Sequence, residues 1–434
     1  MHKMISVRTP SLLSSSSNLD HIVSFLSVKS VLNLSLVEKS ISKSIKDLLK
    51  RFTDRHTSFN TSISTASPTE CLAIMEDLDL YIRFFGPTSP RWAPLSTQLP
   101  AGFTLGGFGA NCNEIAYSIG YLSDNPANRQ ALVAAGVHIP FSALLGDPQA
   151  TRVAKEAAAV VLSTLSLDPA NRPILVAAGV HAPLSALLSD QLATARAKER
   201  AAGALSTLSL DPANRPILVA AGVHAPLSAL LGDPQATPLA KECAAAALCN
   251  LSRNAANGQA LVAAGVHTPL CILLSDPQAT PLAKQWASGA LGNLSLDWAN
   301  RQPLVAAGVH TPLSALLIDP QATGRAKEWA AVALGNLSAD PANDPILMAA
   351  GVHTPLCILL SDPQATPLAK QYAALALANL SRDLANHPTL MEAGVNIPLS
   401  ALLSDPQATP LAREYAAGAL RRLTPTPRGC CVIS

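Results

Sequence analysis

From Asn128 to Arg428 the chain repeats one arrangement of apolar and polar positions. The Asn that opens NRQALVAAG recurs at 128, 171, 214, 257, 300, 343 and 386, every 43 residues. Pro, Gly and Asp punctuate the apolar runs and divide each unit into three predicted helices. The first runs through ANRPILVAAG, with Asp211-Pro212 suited to N-cap and N1 and Gly222 to the C′ position. The second follows His-x-Pro, as in Ala225-Pro226-Leu227 to Leu231, and stops at Gly-Asp-Pro or Ser-Asp-Pro. The third begins at Thr237-Pro238 and runs through KECAAAALCNLS, with apolar residues at i, i+3, i+4 and i+7. No single unit can bury these faces, so stacked neighbours must. Seven units of invariant length predict an all-α, right-handed solenoid. Residues 109–127 read as the last helix of an earlier, degenerate unit.

The order of these elements resembles the armadillo repeat. Gly265, Pro269, Leu273-Leu274, Ala290-Leu291 and Asn293-Leu294-Ser295 carry the likeness, which spans residues 110–423. It implies a groove along the third helices that binds a protein or extended peptide. It also implies that an Asn near each third-helix end bonds the partner's backbone. The matching positions are Asn250, Asn293, Asn336 and Asn379, while Thr164, Thr207 and Arg422 depart from the pattern. The family's import-receptor branch has Trp four residues earlier. Ala246, Gly289, Val332 and Leu375 stand there instead, so a nuclear-import cargo groove is not expected.

A different aromatic series stands out. Trp286, Trp329, Tyr372 and Tyr415 lie seven residues before Asn293, Asn336, Asn379 and Arg422. Seven residues bring a helix back to within roughly 20° of the same face, so aromatics and amides share one wall. That wall suits a peptide with its backbone exposed, or else packing between units. A basic ladder (Lys155, Lys198, Lys241, Lys284, Lys327, Lys370, Arg413) falls about 180° from the Asn position and reads as a solvated, charge-compensated face. Histidines 138, 181, 224, 267, 310 and 353 recur with the units, with Asn396 in the seventh. Repeat neighbours sit about 10 Å apart, too far to share a metal, so a turn or cap role is expected.

Composition narrows the function. Hydrophobic residues make up 49% but aromatics only 4%, so Ala and Leu must form the core. Residues 128–428 hold 20 Lys and Arg against 19 Asp and Glu, which leaves no field to attract nucleic acid. The eight cysteines show no metal-ligand spacing and no disulfide framework. There is no phosphate loop, HExxH or GxSxG, and equivalent residues in a solenoid point in parallel. No enzyme activity, cofactor or metal is therefore expected.

The termini add two further expectations. The chain ends Cys430-Cys431-Val432-Ile433-Ser434, and Cys431-Val-Ile-Ser fits C-a-a-X with a farnesyl-type last residue. One lipid gives marginal anchoring, so Cys430 is a candidate palmitoyl site, with Arg421, Arg422 and Arg428 near an anionic surface. No stretch has the length of a membrane-spanning helix. The expected location is cytoplasmic, peripheral on the cytosolic face of a membrane. At the other end, Leu19 to Leu49 is an amphipathic run within a Ser-rich segment, 1–56. Ile22, Phe25-Leu26, Val31, Leu34-Ser35-Leu36-Val37 and Lys39 resemble an F-box, without its Leu-Pro opening or closing Trp. The alternative is a helical cap for the array. Residues 57–107 read as a linker or irregular cap, 108–423 as the solenoid and 424–434 as a tail. The expected function is a membrane-tethered protein-binding scaffold. The alternative, a cullin-type ubiquitin-ligase substrate adaptor, would add the ligase's linker subunit as partner.

Overall fold

The computed structural model describes Gly120, residues 123–134 and residues 136–424. The F-box-like segment, the linker, most of 109–127 and the tail from 425 on lie outside these residues. The chain divides into two compact bodies, Met1–Val137 and His138–Ser434. In the first, the described helix Pro126–Ala134 follows a turn in which Arg129 Nε donates to the Ser123 carbonyl at 2.8 Å. In the second, every described element is helical, and the units stack in chain order.

Each helix boundary has a chemical cause. Thr237 sits in extended backbone, and its Oγ1 accepts the Ala240 N–H at 3.0 Å. Pro238 follows at the first helical position, where no N–H is needed. The third helix Pro238–Ser252 results, and Thr151, Thr194, Thr280, Thr323, Thr366 and Thr409 repeat the cap. Gly222 ends the first helix at φ 74°. Its N–H donates to the Val219 carbonyl, and Val223 N–H reaches back to the Leu218 carbonyl. This Schellman arrangement turns the chain at once into the second helix, His224–Gly232.

The start of the first helix differs from expectation. Asp211 does not cap it; its Oδ1 accepts the Ala213 N–H within a preceding turn, and the helix begins at Asn214. The same local bond opens a continuous helix after Asn254 and Asp297, and a 3-10 turn after Asp340 and Asp383. The Asx bond is constant, while the helix type beyond it differs from unit to unit.

The core lies between units. Leu184, Leu227, Leu270, Leu313, Leu356 and Leu399, one per second helix, are fully buried. Each such burial contributes about 2 kcal/mol. Ala201, Ala244, Ala287, Ala330, Ala373 and Ala416 are equally buried on the third helices, which pack more extensively on one another than any other elements do. Small side chains permit that close approach.

Two ladders fix the stacking. Lys155, Lys198, Lys241, Lys284, Lys327 and Lys370 each pair with an Asp 35 residues on, from Lys155–Asp190 at 3.4 Å to Lys370–Asp405 at 3.0 Å. The lysine side chains keep only 14–18% exposure. The ladder is charge-compensated as expected but not solvated, because the Asp that ends each second helix is delivered by the next unit. Arg413, in the last described unit, bonds the Asp405 carbonyl instead. The Glu or Gln after each lysine accepts from the next unit's capping threonine, as in Thr280 to Glu242 at 2.6 Å and Thr323 to Gln285 at 2.9 Å.

Candidate functional site: the third-helix wall

Beyond its first turn, each third helix before Pro410–Leu423 leaves one narrow stripe partly open. In Pro281–Leu294 the stripe holds Trp286 and Asn293; the intervening Ala, Gly and Leu are buried. Trp329, Tyr372 and Tyr415 are likewise half-buried. Successive third helices are neighbours, so the aromatic and amide positions of adjacent units lie side by side.

The amides also hold the units together. Asn250 Nδ2 donates to the Ser206 carbonyl at 3.3 Å and Ser209 Oγ at 3.2 Å, both in the preceding unit. Asn293 repeats this with the Cys249 carbonyl and Ser252 Oγ, Asn379 with the Gly335 carbonyl and Ser338 Oγ, and Asn336 with Ser295 Oγ. Arg422 takes the position in the last unit, donating to the Ala378 carbonyl and Ser381 Oγ. Thr164 and Thr207 turn back on their own helices, to the Val160 and Gly203 carbonyls, and tie nothing across. Among the described residues no donor reaches the Oδ1 of the four asparagines. Asn250 and Asn379 are themselves buried, at 4% and 2% exposure, so the oxygens left partly open toward a partner are those of Asn293 and Asn336, while the NH2 groups are engaged.

The aromatics straddle the same seam. Trp329 lies against Gly289 and Gly292 of the preceding third helix, and Tyr372 against Gly335. Arg325, one turn earlier, places its guanidinium 5.3 Å from the Trp329 ring centroid and pairs with Glu328. Trp329 is thus seated between glycine backbone and a cation, with its remaining edge open.

The other candidates separate from this wall. His181, His224, His267, His310 and His353 head the second helices, but their side chains make no cap bond. Their Nδ1 atoms are buried without a well-formed hydrogen bond, and desolvation pulls the pKa values down, opposed in part by the Val176 backbone at His181 and the Val219 backbone at His224. Cys243, Cys249, Cys271 and Cys357 are free, and burial pushes the Cys243 and Cys357 thiols up to about 11 and those of Cys249 and Cys271 to about 12. They act as small apolar residues. Cys430 and Cys431 lie outside the described residues.

Sequence reasoning missed the second job of the opening asparagines. Asn171, Asn214, Asn257, Asn300, Asn343 and Asn386 are buried, and each Nδ2 donates to the carbonyl six residues before it, as Asn300 does to Leu294 at 3.0 Å. These bonds satisfy carbonyls that the end of each third helix leaves open. The signal was present in the invariance of that Asn.

No protein-family profile matches the chain, and no curated protein matches it. Among solved structures, the chain is similar to an engineered protein at 20% identity, covering 93% of this chain and 98% of that one, with a TM-score of 0.66. It is also similar to a designed armadillo repeat protein at 27% identity, covering 56% of this chain and 99% of that one, with a TM-score of 0.49. A designed armadillo repeat protein in complex with the peptide (KR)4 is 25% identical over 56% of this chain and 99% of its own, at a TM-score of 0.48. The fold is an all-α solenoid of three-helix repeats.

Proposed function

We propose that the chain is a non-catalytic protein-binding scaffold whose third-helix wall receives an extended polypeptide. One observation carries this reading: half-buried aromatics on four consecutive third helices, each in line with an amide or Arg422 on the same helix that bonds across the seam. Sibling units stack without aromatics, with Cys243 in place of Trp286 and Arg200 in the unit before, so stacking alone does not require them. Aromatic platforms beside unengaged carbonyl acceptors suit a backbone presented in extended form.

Random dodecapeptides displayed on phage and selected against the full chain test this. Enriched peptides are expected to lose at least about tenfold in affinity, roughly 1.4 kcal/mol, for Trp286→Ala/Trp329→Ala/Tyr372→Ala. Circular dichroism would confirm that this variant stays folded. Equal binding to both chains would remove the reading.

The membrane tether belongs to the same proposal. Its support is the run Cys431-Val432-Ile433-Ser434, which fits C-a-a-X. Replacing Cys431 by Ser is expected to move the protein from a membrane pellet to the supernatant; an unchanged partition would sink the tether and leave the scaffold standing. The ligase-adaptor alternative rests on the F-box-like run alone. It requires co-purification with the ligase's linker subunit that disappears when Leu19 to Leu49 are deleted.

A further inference from the structure

Four units bond the carbonyls six and five residues back with their own arginine, and Arg129 does so to Ser123 at 2.8 Å and Asp124 at 3.1 Å. Arg215 Nε donates to the Ser209 carbonyl and Nη2 to the Leu210 carbonyl, both at 3.1 Å. Arg172 makes the same two bonds at 3.3 and 3.3 Å, and Arg301 at 3.3 and 3.4 Å. In the seventh unit, His387 Nε2 stands 2.9 Å from the Ser381 carbonyl.

The unit that opens at Asn343 inverts the charge. Asp344 occupies the arginine position, and the helix before it, Gly324–Leu337, ends in the same way at Ser338 and Ala339. Among the described residues no side-chain donor reaches the Ser338 or Ala339 carbonyl. Asp344 is 4% exposed, and its Oδ1 is buried without a partner. Asp340 and Asp383 add negative charge around it, against the cation of Arg382. The Gln302 side chain already occupies Asp340 Oδ2.

A lost cap does not account for this. Gly258 stands at the same position in another unit, so the array tolerates having no side chain there. A buried, unbonded carboxylate is costly wherever nothing compensates it.

We propose that this slot takes an arginine side chain of a bound polypeptide. Its guanidinium would sit where Arg172, Arg215 and Arg301 place theirs, with N–H groups to the Ser338 and Ala339 carbonyls and to the Asp344 carboxylate. The planar fork of five donors fits two carbonyls and a carboxylate together; an ammonium does not. Burial and the neighbouring carboxylates push the Asp344 carboxyl up to about 6, so the slot holds its charge, and its affinity, above that pH. The proposal rests on the scaffold reading only for the source of the arginine.

The test uses the full chain labelled with 13Cγ-aspartate and titrated with N-ethylguanidinium at pH 7.5. The Asp344 resonance is the one lost in Asp344→Asn. It is expected to shift and saturate with a midpoint on the order of millimolar, as suits a single small fragment. In Asp344→Arg, whose own guanidinium closes the helix end, the probe is expected to produce no saturable shift at the remaining aspartates. Tetramethylammonium at equal concentration is expected to leave the Asp344 signal unmoved. No saturable shift, or an equal one with tetramethylammonium, overturns the proposal. Because no polypeptide is used, that failure would leave the third-helix wall untouched, and failure of peptides to bind the wall would leave this slot untouched.

Discussion

The indole of Trp329 rests on Gly292 of the preceding unit: a methyl group added at Gly292 would stand 2.8 Å from Cε3 of the ring. Alanine in a helix interior ordinarily gains about 1 kcal/mol over glycine, while overpacking costs about 1–3 kcal/mol. Gly292→Ala is therefore expected to lose up to about 2 kcal/mol in urea unfolding and to move the tryptophan emission. Gly418→Ala meets only the Arg422 guanidinium at 4.0 Å and is expected to gain about 0.5–1 kcal/mol. Equal gains in both would show that the Trp329 contact carries no weight.

Asn300 is 3% exposed and closes the helix that ends at Leu294. Removing its amide strands a buried carbonyl, so Asn300→Ala is expected to cost about 1–3 kcal/mol. Replacing half-exposed Ile217 on a first helix by Ala is expected to cost under about 1 kcal/mol. Matching losses would contradict the capping role.

Stability is expected to fall on acidification below about pH 6.5. The imidazoles of His181, His224, His267, His310 and His353 have lowered pKa values, chiefly through desolvation. Between the folded and unfolded values, the unfolded chain binds more protons, and stability drops as pH falls. The seventh unit already uses Asn396 in this place. His267→Asn and His310→Asn together are expected to flatten the change in urea midpoint between pH 7.5 and 5.5; an unchanged slope would refute the assignment.

Asp344 has the opposite sign. Its folded pKa is raised to about 6 above the ordinary carboxylate value, chiefly by burial, so its contribution is fully present below the unfolded value and lost as pH rises through 6. Asp344→Asn is expected to stabilise the chain by about 1 kcal/mol at pH 7.5, after allowance for partial solvent screening, and by nothing measurable at pH 4. A gain of the same size at both values would show that charge is not the cause.

The stacking of units was readable because period, caps and turns agree. Thr237 and Gly222 each carry out the task their residue type suggests, and 43 residues between equivalent positions leave no other register. What could not be read was which ladder meets which. Lysines and aspartates both recur with the same period, and only the offset between stacked units decides that Lys284 meets Asp319 rather than another carboxylate. The wall was partly legible. A seven-residue spacing placed Trp329 in line with Asn336, but the amide's bond to Ser295 depends on how closely the third helices approach. Gly292 and Gly335, each 37 residues before an aromatic, were the available clue, since glycine inside a helix is costly unless something lies on it.

The most direct measurement replaces Trp286, Trp329, Tyr372 or, as a control, Ile217 singly by the photo-cross-linking residue p-benzoylphenylalanine. Each chain is irradiated with a display-selected peptide, and the adducts are mapped by mass spectrometry. Cross-links at 286, 329 and 372, advancing along the peptide in unit order and absent at 217, are the predicted result. Adducts at 217 equal to those on the third helices, or peptide positions that do not progress from unit to unit, would contradict an extended polypeptide lying along the wall.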